Sequence, residues 1–342
     1  MFKEQWEKTS LTHPLPHGMI EQMVQFAYPY KRLISYEWIA GGCANLNIKV
    51  LLEDKKQSFI QSNPEDLDLA CLRIYLRDKD AAYREQKLAG LIKETVPVPL
   101  TYYIGELKGY HFALTEFMPG LPLRDLLLGS VPHDLNAIMH EVGMTLSSIA
   151  SHSFLEAGFF DKGLRVMPCQ CTDILKCAND CLIHETVLSV LAPDSILAIS
   201  LILEQYSYLW SRSSQGFYLE GQHLVHGDFD PANILVNKVK DVWKVSAILD
   251  WEFAFSGSYL WDVANMLRYA HKMPSGFQTS FINSLEESGI DFPDTWPRTI
   301  HLLNLCSLLD CLKRSDFKHH PYRCSDIREL IGFIVLELKS HE

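Results

Sequence analysis

Residues 226–233 read His-Gly-Asp-Phe-Asp-Pro-Ala-Asn, and this stretch decides the fold predicted for the 342-residue chain. It is followed at once by Ile234-Leu235-Val236, and residues 248–252 read Ile-Leu-Asp-Trp-Glu. Short apolar runs bounded by polar turn residues are typical of buried strands. The pattern therefore predicts short strands whose adjoining loops carry carboxylate and amide side chains.

The side chains on these loops suit chemistry on phosphate groups. Asp228 precedes Asn233 by five residues, so the Asp can accept the proton of a hydroxyl while the Asn oxygen holds Mg²⁺, which prefers oxygen ligands. Asp250 then supplies the main metal carboxylate. Each residue alone would be an ordinary polar turn residue. Together, at this spacing, they predict a site for phosphoryl transfer.

Composition limits the classes of ligand. Hydrophobic residues make up 47% of the chain, enough to fill the core of one large domain or two smaller units. Asp and Glu number 42 and Lys and Arg number 31, which gives a formal net charge of −11. This balance argues against binding to the phosphate backbone of nucleic acids and slightly favours a cationic or neutral ligand.

The chain carries no signal for export or membrane insertion. Its opening lacks an apolar signal segment, and no apolar run is long enough to span a bilayer. Nine cysteines, an odd number, are more typical of reduced thiols than of a disulfide framework. We therefore predict a cytoplasmic protein without a nucleic-acid or membrane partner, either a monomer or a homodimer.

The first third of the chain predicts an antiparallel sheet. After an opening through His17 that reads as a surface segment, strands are predicted from Tyr36 onward, with a turn at residues 39–42. Residues 81–93 have helical spacing, and the Val-Pro-Val-Pro at 96–99 ends that helix because proline lacks the donor for the next turn. The result is a five-stranded sheet with one helix.

The pattern changes at Met118-Pro119-Gly120. Beyond this turn, long helical patterns extend through residue 209 and again to residue 338, with only brief strands between them. We therefore divide the chain into an N-terminal lobe, residues 1–117, and a helical C-terminal lobe, residues 118–342. Two lobes joined at a hinge predict a ligand-binding cleft between them.

In its loop motifs the chain resembles the aminoglycoside phosphotransferase and choline kinase superfamily, a branch of the protein-kinase-like fold. The resemblance rests on His-Gly-Asp, four residues, Asn and then Asp-x-Glu, and it extends over residues 39–270. It implies an α+β bilobal fold and an enzyme that transfers the γ-phosphoryl group of ATP or GTP to an alcohol group with the help of Mg²⁺.

The same resemblance implies roles for the residues of the motif. Asp228 corresponds to the catalytic base, and Asn233 and Asp250 correspond to the magnesium ligands. His226 corresponds to a residue that braces the catalytic loop, and Asp262 to an acid that steadies the loop.

Further resemblance implies a nucleotide site in the N-terminal lobe. Gly41 and Gly42, with Asn45, correspond to a turn over the phosphates, although two glycines alone would indicate a plain hairpin. Arg73 takes the place of the phosphate-binding lysine of protein kinases, with Glu85 as its ion-pair partner. The alternative is that Arg73 is only an exposed strand residue. In that case Arg77 or Arg84 could be the phosphate contact instead.

The hinge and the acceptor site are implied less directly. The backbone of Thr115 and Phe117 corresponds to the segment that pairs with the purine. Glu252, Trp251 and Tyr259 are predicted to face the acceptor, since aromatic faces can bind a cation. Core packing is the alternative for the neighbouring Trp261 and Tyr269, and two acidic residues are further candidates, Asp310 and Glu185.

The identity of the acceptor stays open. An aminoglycoside is the first expectation, and a choline-like amine, homoserine, methylthioribose or fructosamine are alternatives. A nucleotide-binding pseudokinase scaffold is a rival, although the intact catalytic motif disfavours it. A zinc site is disfavoured because its candidate ligands lack paired knuckle spacing; they are Cys169, Cys171, Cys177, Cys181 and His184.

Overall fold

The computed structural model describes residues 1–7, 15–39, 45–55, 67–167, 174–212 and 221–340. Its N-terminal part is built on a five-stranded antiparallel sheet in the order β1-β2-β3-β5-β4. This sheet confirms the predicted fold class. Its elements are α1 (Met19–Ala27), β1 (Lys31–Trp38), β2 (Leu46–Asp54), β3 (Leu67–Tyr75), α2 (Ala81–Ile92), β4 (Thr101–Leu107) and β5 (Tyr110–Glu116).

Alternation of side chains gives the sheet two covered faces. Leu72 and Ile74 of β3 pack with α1 in one apolar cluster, whereas Tyr75 packs with Ala81 and Ala82 of α2 in another. Successive strand residues point to opposite faces, so the two helices lie on opposite sides of the sheet. Helix α1 is an addition to the one helix predicted, and β1 begins five residues before Tyr36.

The C-terminal part is mainly helical and contains two small sheets. Its helices are α3 (Leu123–Leu128), α4 (Leu135–Ala150), α5 (Ile174–Leu182), α6 (Glu185–Val190), α7 (Pro193–Arg212), α8 (Leu260–Leu267), α9 (Ser275–Glu287), α10 (Trp296–Lys313) and α11 (Pro321–Ser340). Its strands are β6 (Leu121–Pro122), β7 (Gly158–Phe160), β8 (Val166–Met167), β9 (His223–Val225), β10 (Ile234–Val239), β11 (Val242–Ile248) and β12 (Phe255–Gly257).

The small strands position the loops predicted to carry chemistry. Residues 226–233 connect β9 to β10, and β10 pairs with β11 in an antiparallel hairpin in which Ile234 lies opposite Ile248. The start of β10 is therefore adjacent to the end of β11. As a result, the loop before β10 and the loop after β11 lie side by side.

Residues 1–7 pack against the helical part, so the prediction of a surface segment is wrong for them. The Phe2 side chain is 1% exposed and belongs to the main apolar core, where it lies edge-on to Tyr269 at 5.1 Å and near Phe277. The Trp6 indole donates a 2.8 Å hydrogen bond to Asp326 of α11. The predicted lobe boundary itself stays a prediction.

Glu7 fixes the other end of this segment. Its carboxylate accepts hydrogen bonds from the backbone N–H groups of Tyr322 and Arg323, in the first turn of α11. A negative charge at this position also interacts favourably with the helix dipole. Residues 1–7 are therefore attached to the helical part at both ends.

No helix within the described ranges is long and apolar enough to cross a membrane. Among the described cysteines, those at positions 71, 181, 306, 311 and 324 are free thiols. Cys177 is disulfide-bonded, and at this residue the structure differs from the expectation of reduced thiols.

Candidate active site

A cavity of about 1430 Å³ lies between the sheet and the helical part. It receives side chains from β3 and β5 on one side and from the two chemistry-bearing loops on the other. Most of the predicted site residues line it, and they are Arg73, Glu85, Thr115, Phe117, Asp228, Asn233, Asp250, Trp251 and Glu252. The predicted turn at Gly41 and Gly42 lies outside the described residues.

Asp262, at the start of α8, holds the beginning of the loop 226–233. Its two carboxylate oxygens accept hydrogen bonds from the backbone N–H groups of His226 at 2.7 Å and Gly227 at 2.9 Å. Complete burial raises the pKa of Asp262 to about 7, against the lowering effect of these amides. The predicted steadying role of Asp262 agrees with this geometry.

His226 links the two loops. Its Nε2 donates to the backbone oxygen of Leu249 at 2.9 Å, and its Nδ1 accepts from the backbone N–H of Asp228 at 3.2 Å. Burial lowers the pKa of His226, so the neutral ring with a proton on Nε2 satisfies both bonds. The ring also packs against Trp251 at 4.5 Å. His226 therefore braces the two loops and does not itself line the cavity.

Gly227 makes the sharp turn before Asp228. Its φ of +82° is in the left-handed region, where side chains with a Cβ are strained. An added Cβ at this position would also collide with the backbone oxygen of Phe253. Glycine is therefore the residue that allows the chain to present Asp228 to the cavity.

Asp228, Asn233 and Asp250 form one group of oxygen-bearing side chains. The Asn233 amide nitrogen donates to the Asp228 backbone oxygen and to its Oδ2, both at 2.9 Å, which leaves the amide oxygen of Asn233 available. A backbone bond from Leu249 to Asn233 places Asp250 beside them. Asp250 has a left-handed φ of 68°, the kind of local strain that is common at functional sites.

Arg73 of β3 reaches across the cavity to this group. Its Nη2 lies 2.5 Å from Asp250 Oδ1 and 3.3 Å from Glu85 Oε1. Glu85, on α2, is the partner that the sequence predicted. The other Glu85 oxygen accepts from the Tyr75 hydroxyl at 2.5 Å. Of the two rivals to Arg73, Arg77 lines the cavity, while Arg84 pairs with Asp78.

Glu252 joins the sheet to the second loop. Its Oε2 accepts from the Asn45 amide at 2.7 Å, a contact between residues 207 positions apart. Burial, together with the nearby charge of Asp250, raises the pKa of Glu252 to about 7, against the opposing effect of Arg73. Glu252 therefore holds Asn45 at the start of β2.

Several buried polar atoms in this group have no hydrogen-bond partner in the described protein. They are Arg73 Nε, Glu252 Oε1 and Glu85 Oε1, the last of which has only its ion pair with Arg73. A buried polar atom left unsatisfied costs about 1–3 kcal/mol, so such a group favours a ligand that supplies partners. A carboxylate and an amide oxygen, at Asp250 and Asn233, also form a donor set that fits Mg²⁺ completed by phosphate oxygens.

Two of the predicted acceptor residues do not face the cavity freely. Trp251 lines its wall but is 4% exposed, with its indole N–H bonded to the Ile248 oxygen. Tyr259 does not line the cavity, because its hydroxyl donates to the Asp291 oxygen and its ring packs on Phe292. The structure therefore does not bring Tyr259 to the cavity wall. Of the two further candidates, Asp310 lines the cavity and Glu185 does not.

Lys3 is a cation at the site that the sequence did not predict. Its ammonium lies 2.6 Å from Asp228 Oδ1, 2.7 Å from Asp228 Oδ2 and 2.5 Å from Asp230 Oδ2. Burial works to lower the pKa of Lys3, but the two carboxylates outweigh it and raise that pKa. In the same way, Lys3 lowers the pKa of Asp228 although burial works to raise it. Both groups are therefore charged at neutral pH.

Arg268 is a second missed cation, at the C-terminal end of α8. It lines the cavity, and its charge acts on Asp228 in the same direction as that of Lys3. Its guanidinium donates to the side-chain oxygens of Asn304 at 2.9 Å and Asn265 at 2.5 Å. A buried arginine bonded to neutral amides was not recognisable in a Leu-Arg-Tyr sequence.

The zinc site that the sequence disfavours falls partly outside the described residues. Cys169 and Cys171 lie outside the described residues. Within the part of the chain that the structure describes, no group of three His, Cys, Asp or Glu side chains could hold a metal ion.

Comparison with solved structures finds the same fold in phosphotransferases. A thermostable mutant of aminoglycoside phosphotransferase APH(4)-Ia, in a ternary complex with ADP and hygromycin B, superposes with a TM-score of 0.67 at 18% identity, over 92% of this chain and 97% of that one. A Haemophilus somnus 129PT protein provisionally named fructosamine-3-kinase gives 0.58 at 16% identity, over 92% and 96%.

Sequence comparison gives a family but no individual relative. No curated protein matches the chain significantly. The model of the phosphotransferase enzyme family matches residues 36–299, a span that contains every predicted site residue from Gly41 to Asp262. The chain therefore belongs to the phosphotransferase enzyme family.

Proposed function

We propose that this protein is a magnesium-dependent kinase that transfers the γ-phosphoryl group of ATP, or of GTP, to a hydroxyl of a small molecule. The observation that carries the proposal is the meeting of Asp228, Asn233 and Asp250 with Arg73 in one cavity. Membership of the phosphotransferase enzyme family supports it.

On the nucleotide side, the residues bind and orient phosphates. Asn233 and Asp250 would hold Mg²⁺, which when bound neutralises charge on the phosphate oxygens. Arg73 offers a planar fork for phosphate oxygens, and Glu85 keeps that fork directed into the cavity. The purine base of the nucleotide would lie against the backbone of Thr115 and Phe117, at the end of β5.

On the acceptor side, Asp228 orients the attacking hydroxyl. The acceptor oxygen forms a bond to the γ-phosphorus while the bond from that phosphorus to the β,γ-bridging oxygen breaks. The hydroxyl proton passes to Asp228, and the nucleoside diphosphate leaves. Because the transition state of phosphoryl transfer is loose, the carboxylate acts chiefly by placing the hydroxyl, and its lowered pKa does not oppose this role.

The class of acceptor is the finer part of the proposal. Aminoglycosides are the first candidates, since the similar structure of APH(4)-Ia contains hygromycin B. Amino alcohols and sugar-amine adducts come next, the latter because of the similarity to the protein provisionally named fructosamine-3-kinase. We place the activity in the cytoplasm.

The test is diphosphate release from MgATP and MgGTP across aminoglycosides, amino alcohols and sugars, with an Asp228→Asn variant. We expect acceptor-dependent release that is lost in Asp228→Asn and on chelation of Mg²⁺ by EDTA, while the variant still binds nucleotide. Asp241→Asn is the matched control, since Asp241 is exposed at the β10–β11 turn. An Asp228→Asn protein with full turnover would refute the role of Asp228.

A further inference from the structure

The segment that carries Lys3 is held in a strained conformation. Phe2 and Lys3 both have left-handed φ angles, of 48° and 60°. For residues with a Cβ this conformation is sterically unfavourable, because the Cβ approaches the following carbonyl oxygen. Strain of this kind persists only where the surroundings enforce it, and it is concentrated at functional sites.

Three anchors enforce it. Phe2 is buried in the main core on one side of Lys3. On the other side, the Trp6 indole is bonded to Asp326 and lies 5.0 Å from the Arg323 guanidinium, and Glu7 caps α11. Withdrawing the segment would expose the Phe2 and Trp6 side chains to water. These anchors therefore keep Lys3 stably at the site.

The contacts of Lys3 leave room for an acceptor hydroxyl. A carboxylate oxygen can accept two hydrogen bonds. Asp228 Oδ2 already accepts from Lys3 and from Asn233, whereas Oδ1 accepts from Lys3 alone among the described residues. One position on Oδ1 is therefore available, and Lys3 fixes the direction in which it points.

Lys3 also changes the charge that an acceptor meets. Asp228 and Asp230 bring two negative charges, and Lys3 and Arg268 bring two positive ones. Within the described ranges, no carboxylate lies at salt-bridge distance from Arg268, which is bonded to Asn265, Asn304 and Ser307. The chain thus balances the charge of its own acid pair, without a cation from the acceptor.

We propose that Lys3 is a positioning residue for phosphoryl transfer and that it selects hydroxyl acceptors with no ammonium group beside the reacting hydroxyl. This inference rests on the kinase function proposed above and narrows its acceptor class. Lys3 holds the Asp228 carboxylate in place and supplies the positive charge that an amino-bearing acceptor would otherwise bring to Asp228 and Asp230.

The first experiment compares the wild-type protein with Lys3→Ala and Lys3→Arg, each as the full chain with any purification tag after Glu342. The acceptors are pairs of sugars that differ by a single hydroxyl-to-ammonium exchange. Lys31→Ala is the control, because Lys31 forms its ion pairs with Asp54 and Asp68 on the N-terminal sheet. Ethylammonium chloride is added to the Lys3→Ala protein, with sodium chloride at the same concentration as the reference.

We expect Lys3→Ala to lower kcat/KM for the neutral sugar on the order of 100-fold, the usual effect of a misplaced catalytic group. Ethylammonium should restore part of that loss and sodium chloride none. For the amino sugar, Lys3→Ala should lower kcat/KM much less, since the ammonium of the sugar can replace Lys3. The kcat/KM of Lys3→Arg for the neutral sugar should lie between those of the wild-type and Lys3→Ala proteins. A structural role alone would not produce rescue by a small amine.

Two outcomes would overturn the inference. If Lys3→Ala lowers kcat/KM equally for both sugars, and ethylammonium restores none of the loss, Lys3 has only a structural role. A lower KM for amino sugars in Lys3→Ala, with kcat unchanged or raised, would make Lys3 a competitor that occupies the place of a cationic acceptor.

A second measurement separates this inference from the kinase function itself. Thermal unfolding of Lys3→Met, Asp228→Asn and the double variant reports the contact even when no acceptor is turned over. Strongly non-additive Tm changes support the coupling of Lys3 to Asp228, and additive changes refute it. Absence of transfer to every acceptor, with coupling intact, would refute the kinase proposal and, with it, the selection of acceptors by Lys3.

Discussion

Arg73 lies between two carboxylates, and its Nε is buried without a hydrogen-bond partner. The buried N–H at Nε therefore favours a ligand that offers it an oxygen acceptor. In the proposed kinase, Nε is the atom of Arg73 that can donate to phosphate while Nη2 keeps its contact with Asp250.

We expect Arg73→Met to raise the Kd for MgATP about 10- to 100-fold, because hydrogen bonds to charged groups contribute about 1.5–3 kcal/mol. Isothermal titration calorimetry with a non-hydrolysable MgATP analogue measures this Kd for the wild-type and variant proteins. Arg73→Lys is the matched variant, since it keeps the charge but loses the planar fork. Unchanged affinity in Arg73→Met would exclude Arg73 from the phosphate site and leave Arg77, which also lines the cavity, as the candidate.

The residues of the catalytic loop could be predicted from sequence because their chemistry is encoded within a few positions. Asp228, Asn233 and Asp250 lie on two loops that a single strand hairpin brings together. Lys3 could not be predicted in this way. It reaches Asp228 across 225 residues, and the neighbouring Phe-Lys-Glu-Gln has no periodicity or motif that would indicate burial.

At the scale of elements, α4 and α9 form a tight pair that supports the helical part. They meet at Gly143, where an added Cβ would collide with Ser284 Oγ and would lie 2.7 Å from the Phe281 backbone oxygen. Ser284 is itself fully buried. The absence of a side chain at Gly143 therefore sets the distance between the two helix axes.

We expect Gly143→Ala to destabilise the protein by about 1–3 kcal/mol, because an extra methyl group in a packed core forces neighbouring atoms apart. Gly332→Ala, within α11, is the matched control, since an added Cβ there meets no atom within 4 Å. It should stabilise by about 0.5–1 kcal/mol through helix propensity. Urea unfolding of the two variants tests the opposite signs, and destabilisation by both would point to a general intolerance of these helices.

Some elements were harder to predict than others, for physical reasons. Strand β2 alternates buried residues, namely Leu46, Ile48, Val50 and Leu52, with half-buried ones, and this period is visible in sequence. Helix α1 has only nine residues and begins after Gly18 without a side-chain cap, so its start carries no local signal. Tertiary packing on β1 and β4 determines that it forms.

At the scale of the whole molecule, the segment 1–7 ties the first residues to the last helix. We expect Phe2→Ala to reduce the free energy of unfolding by about 3–5 kcal/mol, the usual cost of removing a buried aromatic ring. Phe317→Ala is the control, since Phe317 is half exposed, and it should change stability by less than about 0.5 kcal/mol.

Denaturant unfolding followed by tryptophan fluorescence measures both changes. The Phe2→Ala protein should also lose turnover under conditions in which it is still folded, because the anchor on one side of Lys3 is gone. Equal stability of the two Phe variants would show that residues 1–7 do not dock in solution.

The contact between Lys3 and Asp228 joins residues 225 positions apart, and that between Trp6 and Asp326 joins residues 320 positions apart. Contacts between such distant residues form late during folding, because the loop entropy must be lost before the contact is gained. After dilution from denaturant, helices and sheet should therefore return before the site is complete. Recovery of turnover should follow the slowest phase of refolding, after the far-UV circular dichroism signal has reached its final value.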